Sequence, residues 1–489
     1  MNFRVFLSHT AKHLTLSFAL TYSAAALSNS DNNIVLPDLG DSTSAYSNPQ
    51  QEIELGRNWL RAFRRQAPIQ EDPLIYAYLH DLIRRLAYHS PLDNKQFSLV
   101  IVDSPAFNAF AVPGQVIGIN TGLLTYAETE DQLSSVLAHE LAHLSQRHYA
   151  RSMQRQESTQ ILTMAALLGS LLVLATGSPE AGMAALTATQ AAAISDRLKY
   201  SRLHEQEADR IGMQTLADSG MNPAAVATMF QHMLLTMRYR QDIKEFDFLL
   251  THPLTDSRVS DAFNHARSYP AKEDQDSFNF HLAKARIHVL DSKNPHAAIK
   301  HFRENKKTAK FKKASDYGLA LALIHADELE EAEKIIQLLY QESPHRKAYV
   351  LAKAELLNKQ QKYALSSSLL ELHLSLSPYN YPYTMALANT YLLNYQAQKA
   401  SNILTDLTQH GFQHKPDVWY LLAEAEGLAG NIAGVHLARA EFFIHIGAFT
   451  QAQRHLNLAL PLVQDNLQAS ARIQIKIQRV ERMRQAMQF

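Results

Sequence analysis

At 489 residues the chain is long enough for two or three domains, each with a buried core. Lysine plus arginine and aspartate plus glutamate both total 47, so the formal charge is zero and no global basic field favours nucleic acid, which is not expected as a partner. Cysteine is absent, which excludes disulfides, thiolate metal ligands and a lipid anchor on cysteine, and leaves packing and metal to supply stability.

The first residues read as an export signal. Arg4 and Lys12 carry positive charge, Leu14 to Ala26 is apolar, Ala24-Ala25-Ala26 offers small residues for cleavage, and polar Ser28 to Asp31 follow. The apolar run is short for a membrane span. Residues 1–26 are therefore assigned to a signal peptide and 27–49 to a mature N-terminal segment, and the mature chain is expected outside the cytoplasm, most simply in a bacterial periplasm.

Phe97 to Val102 and Val116 to Ile119 read as apolar strands ahead of a helix opened by Asp131-Gln132-Leu133. An exposed strand edge here would pair with an extended substrate backbone; a core hairpin with both edges covered is the alternative. In the helix, Leu133, Val136, Leu137, Leu141 and Leu144 share one side, and His139-Glu140-Leu141-Ala142-His143 follows its period. Positions i and i+4 share a helix face, so His139 and His143 can reach one metal ion, with the Glu140 carboxylate placed to act on a water as general base. A catalytic zinc takes three protein ligands, so one more is required. The best candidate is Glu205 in Ser201 to Gly212, where Asp209, four residues on, can accept the free N–H of a ligating histidine; His204, Glu207 and Asp209 compete for the ligand role.

Between these helices lies an uncharged stretch, Ser158 to Pro179, followed by alanine-rich Ala181 to Ile194. A single membrane crossing would separate the two metal-binding helices, so an apolar helical hairpin near 158–195 is expected, packed over the cleft or against a membrane surface or membrane-embedded partner. A buried core hairpin is the other reading.

From about Phe278 the pattern is helical and repetitive. Pro344 and Pro378 stand 34 residues apart, and small residues recur at Ala320, Ala332, Ala354, Ala388 and Ala400, where paired helices approach closely. This resembles the tetratricopeptide repeat, a helix-pair unit that stacks into a curved array with a concave binding face. Units beginning near Trp419 and Ala440 leave the 34-residue register, implying a shared or inserted helix.

Taken together, the strand at Phe97, Asn108 to Gly114, the HExxH helix, Glu205-Ala208-Asp209 and Thr251-His252-Pro253 through Arg258 resemble the HtpX and CAAX-protease type of gluzincin metallopeptidase, in its soluble, repeat-bearing periplasmic branch. After Pro113-Gly114 this chain carries Gln115 where many such relatives have a second glycine. The resemblance implies an α+β zincin-like metallopeptidase domain over residues 50–277, followed by an all-α tetratricopeptide-repeat solenoid over 278–489. It implies one zinc ion per chain, with His139, His143 and Glu205 as ligands. Catalysis falls to Glu140 and Asp209, with His252 and Arg258 in one of two roles. His252 approaches the metal and keeps the enzyme latent, or with Arg258 hydrogen-bonds the tetrahedral intermediate. The implied activity is a zinc endopeptidase that degrades misfolded or stalled outer-membrane proteins and assists their assembly, docking on the outer-membrane barrel-assembly machinery through its repeats. The rival is a repeat-based chaperone or adaptor with a latent or structural zinc domain. Glu140 argues against it, since structural zinc needs ligands but no base.

Overall fold

The computed structural model describes residues 49–154, 202–239, 247–273, 277–305 and 311–486. The expected signal peptide and the apolar hairpin near 158–195 lie outside them, as does nearly all of the N-terminal segment. No helix among the described residues is long and apolar enough to cross a membrane. All the described residues belong to one compact unit.

Helices α1 (Pro49–Gln66) and α2 (Pro73–His89) precede the sheet. Asp72 caps α2, accepting from the backbone N–H groups of Leu74 and Ile75 at 3.1 and 3.0 Å, and Pro73 occupies the first turn, where no N–H is needed. The sheet has the order β1 (Ser98–Val102), β3 (Val116–Asn120), β2 (Ala109–Val112), with β1 and β3 parallel and β2 and β3 antiparallel. The β2–β3 turn is tight: Gly114 has φ 81°, and a Cβ there would lie 2.3 Å from the Glu52 carbonyl oxygen. Gln115 also has positive φ, 62°, the region a second glycine would enter without strain. Segment 68–70 covers the outer edge of β1 through Gln70 N–H to the Ile101 carbonyl and Asp103 N–H to the Pro68 carbonyl, both 2.9 Å. No strand among the described residues pairs with the outer edge of β2.

Short α3 (Thr121–Tyr126) leads to α4 (Glu130–Ser145), which carries HExxH and starts one residue before the expected Asp131, capped by the Thr129 side chain. The sequence suggests an amphipathic helix, yet every side chain from Glu130 to His143 is buried. Its polar residues are absorbed inside: Glu130 accepts from Tyr78 Oη at 2.9 Å and Arg85 at 2.6 Å, and Asp131 accepts from the Asn222 backbone at 3.3 Å. Helix α5 (His148–Gln154) follows, and then α6 (Arg202–Asp218), α7 (Ala225–Tyr239), α8 (Phe248–Thr251) and α9 (Asp256–Ala266). A Cβ on Gly212 of α6 would lie 3.3 Å from the His139 backbone nitrogen, so glycine lets α6 lie close along α4 and bring Glu205 and Asp209 opposite the histidines.

The C-terminal region is mostly helical, with no strand among its described residues. Helices α10 (Phe278–Asp291) and α11 (Pro295–Asn305) lead into a regular alternation. First helices are α12 (Lys312–His325), α14 (Lys347–Lys359), α16 (Tyr381–Leu393) and α18 (Pro416–Leu428). Their partners are α13 (Leu329–Glu342), α15 (Tyr363–Leu376), α17 (Ala397–Leu407) and α19 (Ile432–His445). Successive starts are 34 or 35 residues apart. Before α18 lies an irregular turn at Thr408–Phe412, with Gly411 at φ 102°. Helices α20 (Phe449–Ala459) and α21 (Leu467–Ala486) finish the region.

Helix α10 serves both halves. Phe280, Ala283 and Ile287 join the core around α2, α4 and the sheet, while Leu282, Ala285 and Val289 join the first repeat core. Arg286 on the same helix bonds Asp72 at 2.8 Å, tying the repeats to the cap of α2.

Candidate metal centre

Four side chains from three segments converge below the surface. His139 and His143 come from α4, one turn apart; Glu205 comes from the first turn of α6; His252 closes α8, its backbone N–H bonded to the Phe248 carbonyl at 2.8 Å. Each offers one donor atom, and all four atoms lie within 4.8 Å of one another. His139 Nε2 lies 3.0 Å from His143 Nε2, 3.3 Å from His252 Nδ1 and 3.4 Å from Glu205 Oε2. Glu205 Oε1 is 3.5 Å from His143 Nε2 and 3.1 Å from His252 Nδ1. With both Glu205 oxygens counted, these separations lie near the roughly 3.3 Å expected between neighbouring donors on one ion at bonds of about 2.0–2.1 Å, so the four groups are placed to share a metal. Three imidazoles and one carboxylate, all buried, suit a borderline-soft divalent cation.

Behind each histidine of α4 stands a group that fixes its ring. His139 Nδ1 donates to Asp209 Oδ1 at 2.9 Å, which leaves the Nε2 lone pair facing the cluster. Asp209 is itself held by Arg258, whose Nε and one terminal nitrogen donate to its two oxygens, both at 2.8 Å. The other terminal nitrogen lies 2.8 Å from Glu205 Oε2 and donates to the Pro253 carbonyl at 3.0 Å. Arg258 thus braces both carboxylates.

The sequence reasoning missed the equivalent support for His143. Helix α4 ends at Ser145, Arg147 takes φ 48°, and the chain turns back so that buried His148 puts Nδ1 2.8 Å from His143 Nδ1. His148 Nε2 lies 3.1 Å from Glu207 Oε2, and the carboxylate can only accept there. His148 Nδ1 is therefore the acceptor for the His143 N–H, which leaves His143 Nε2 unprotonated toward the cluster. His204 stacks on His148 with centroids 4.4 Å apart. Of the competing third-ligand residues, His204 and Glu207 thus stand behind His143 and Asp209 behind His139, while Glu205 alone enters the cluster. A histidine five residues beyond HExxH and a glutamate two beyond Glu205 were the available signals, but the link depends on the turn at Arg147.

In the metal-free protein burial opposes a charge on His139, yet bonds to Asp209 and Glu205 lift its pKa to about 9. His143 is held well below the ordinary histidine value by burial and then by the His139 charge. Burial would raise Glu205, but the His252 charge and bonds to His139 and His252 hold it well below the carboxylate range. Burial and the neighbouring His204 push His148 down to about 4, consistent with a neutral ring.

Glu140 is buried on the β2 side of α4. Burial raises its pKa, while His252, His139 and a bond from the Ala111 backbone pull it down and Glu205 adds a smaller upward push. Its Oε1 has no hydrogen-bond partner and lies 3.5 Å from His252 Nε2. An orphaned carboxylate oxygen beside a donor cluster is an acceptor waiting for a proton donor.

The sequence is 34% identical over 475 residues to the "Beta-barrel assembly-enhancing protease" of Escherichia coli (strain K12), covering 96% of each chain, and the description "Peptidase family M48" matches residues 73–265. The chain belongs to peptidase family M48. It is a metalloprotease. A "Putative beta-barrel assembly-enhancing protease" of Vibrio cholerae is 33% identical over 447 residues, covering 91% of this chain and 92% of that one. Similarity to the mitochondrial metalloendopeptidase OMA1 of Bos taurus, 27% over 209 residues, covers 41% of this chain and 39% of the relative. The matched family region spans the HExxH helix, Glu205, Asp209, His252 and Arg258, so the convergence described above falls within the family's own segment.

Proposed function

We propose that the chain is a periplasmic zinc endopeptidase acting on misfolded or stalled outer-membrane proteins, with a tetratricopeptide-repeat array as its docking surface for the barrel-assembly machinery. The observation that carries the catalytic reading is the convergence of His139, His143, Glu205 and His252 beside the unpartnered oxygen of Glu140. Zinc held by His139, His143 and Glu205 would supply Lewis acidity to a water and to the scissile carbonyl. Glu140 accepts the proton of the attacking water and delivers it to the leaving amine; its burial suits this exchange by raising its affinity for a proton. Asp209 and His148 hold the two imidazoles in the tautomer that leaves Nε2 unprotonated, and Arg258 keeps Asp209 and Glu205 in place. The outer edge of β2, which no strand among the described residues pairs and which lies beside the Glu140 helix, suits an extended substrate backbone.

His252 supports a second reading of the resting state. Its Nδ1 fills the fourth corner of the donor set, where a nucleophilic water would otherwise stand, so the resting enzyme is latent and His252 must withdraw for turnover. In that state the chain acts on assembly as a chaperone or adaptor. The 34- or 35-residue helix-pair period and the names of the relatives support the repeat and assembly assignments. The test is Glu140→Gln: zinc content and fold are retained while cleavage of an unfolded outer-membrane protein is lost. Cleavage at the wild-type rate would remove Glu140 as the base. Retained assistance to assembly by this variant in cells would mark the non-proteolytic role.

A further inference from the structure

A second charged constellation lies away from the donor cluster, in a cleft of about 530 Å³ between α1, the start of β1 with the Gly114–Gln115 turn, and the last repeat helices. Arg57, Arg61, Arg64, Lys476 and Arg479 line it, against a single carboxylate among the described residues, Glu441, which is already paired with Lys476. In a chain of zero formal charge such a concentration is not background. Burial, and then the charges of Arg479, Arg57 and Arg64, hold the Arg61 guanidinium below its ordinary value. His445 in the same wall is pushed down to about 3 by burial and by Arg64, His414 and Arg61, so it stays neutral. Arg64 is partly balanced from behind by Asp417 and Glu71, whereas Arg61 has only the weaker influence of Glu54.

The repulsion is held in place by the fold. Gly447, at φ 68°, sits so close that a Cβ would lie 3.2 Å from the Arg61 backbone, and Gly56 of α1 lies against the Pro113 carbonyl, where a Cβ would stand 2.2 Å away. Helix α1 is thereby pinned to both opposing walls and the arginines cannot separate by moving it. Like charges held together in a cleft are relieved by an anion. Beside them Leu60, Phe97, Trp419 and Met483 give the cleft an apolar wall, which a free inorganic anion would not use. The ligand chemistry that satisfies both walls is a carboxylate attached to an apolar group.

We infer that this cleft binds the C-terminal carboxylate of a polypeptide, with the terminal side chains against the apolar wall. The inference rests on the proteolytic reading for its substrate class, since every unfolded chain brings one such terminus and every cleavage creates another. Bidentate pairing of a guanidinium with a carboxylate supplies the recognition, and the cleft holds a chain end while the remainder stays accessible to the metal centre.

The test uses the full-length, zinc-loaded Glu140→Gln protein, so that peptide is not consumed, and labelled peptides of one apolar sequence ending in a free acid or an amide. Fluorescence anisotropy at low salt is expected to show the acid binding at least about tenfold more tightly, with the difference shrinking as salt rises. Arg61→Gln combined with Arg479→Gln should abolish the difference while leaving the melting temperature unchanged or raised, because neutralising a repelled charge does not weaken the fold. Equal binding of acid and amide overturns the inference. So does displacement of the acid peptide by inorganic phosphate at equal concentration, which would assign the cleft to phosphate. A preference for acid that survives both arginine substitutions overturns it too. Failure of the proteolytic reading is seen separately, as wild-type cleavage by Glu140→Gln.

Discussion

Replacing Asp209 with asparagine tests whether one buried carboxylate sets both the tautomer and the basicity of His139. In the metal-free protein His139 has its pKa lifted to about 9 against the opposition of burial, by bonds to Asp209 and Glu205. Zinc binding at this site would displace that proton. At pH 7 the displacement costs about 100-fold in affinity, roughly 2.7 kcal/mol at about 1.36 kcal/mol per unit. The zinc dissociation constant should therefore fall about tenfold per pH unit from pH 7 to 9 and level off above, and His143, held neutral by burial, contributes no proton in this window. The same raised pKa stabilises the metal-free protein below the ordinary value of 6.5, and that contribution disappears as pH rises through about 9. Asparagine keeps the shape but removes the charge and turns an amide N–H toward Arg258, whose two donors now meet carboxylate oxygens at 2.8 Å. The His139 pKa should then drop, proton release on zinc binding at pH 7.5 should fall below one, and zinc affinity should weaken by about 10–100-fold. Calorimetric titration of zinc into metal-free protein in two buffers of different ionisation heat measures both quantities. Proton release equal in wild type and variant would refute the role given to Asp209.

Glu205→Gln should weaken zinc binding far more than Glu207→Gln, because Glu205 supplies a donor to the cluster while Glu207 acts through His148; competition with a chromophoric chelator ranks them, and the reverse order would move the third ligand to Glu207. His148→Ala should weaken zinc about 10–100-fold by freeing the His143 ring, and unchanged affinity would make His148 a packing residue only. His252→Ala should raise cleavage of an unfolded test protein by a fully zinc-loaded enzyme if His252 is a brake; a loss of about 10²–10³ in turnover would instead make it an oxyanion donor.

The parts of the centre that rest on local spacing were legible in the sequence. His139 and His143 share a helix face by the period alone, and Glu205 with Asp209 repeats the same interval on a second helix. The repeat region was legible for a similar reason, since its 34-residue interval is a property of the chain itself. What escaped depends on tertiary placement. The burial of α4 on all sides conflicts with Gln132, Ser134 and Ser135 in its sequence and follows from the elements packed around it. His148 reaches His143 only because Arg147 adopts a left-handed conformation, which no pattern around an arginine announces. The contacts of Arg258 with Asp209 and Glu205, 49 and 53 residues away in sequence, likewise depend on how α6 and α9 pack. Phe280 and Ile287, just beyond the expected boundary at 277, pack in one cluster with Leu79 and Leu133, a contact that no local pattern announces.

The most direct measurement is X-ray absorption at the zinc edge of the resting full-length protein, combined with metal analysis. One zinc per chain, bound by three imidazoles and one carboxylate, is the result that the convergence of His139, His143, Glu205 and His252 demands, with one imidazole lost in the His252→Ala variant. Absence of bound zinc, or a coordination sphere unchanged by Glu205→Gln, would contradict it.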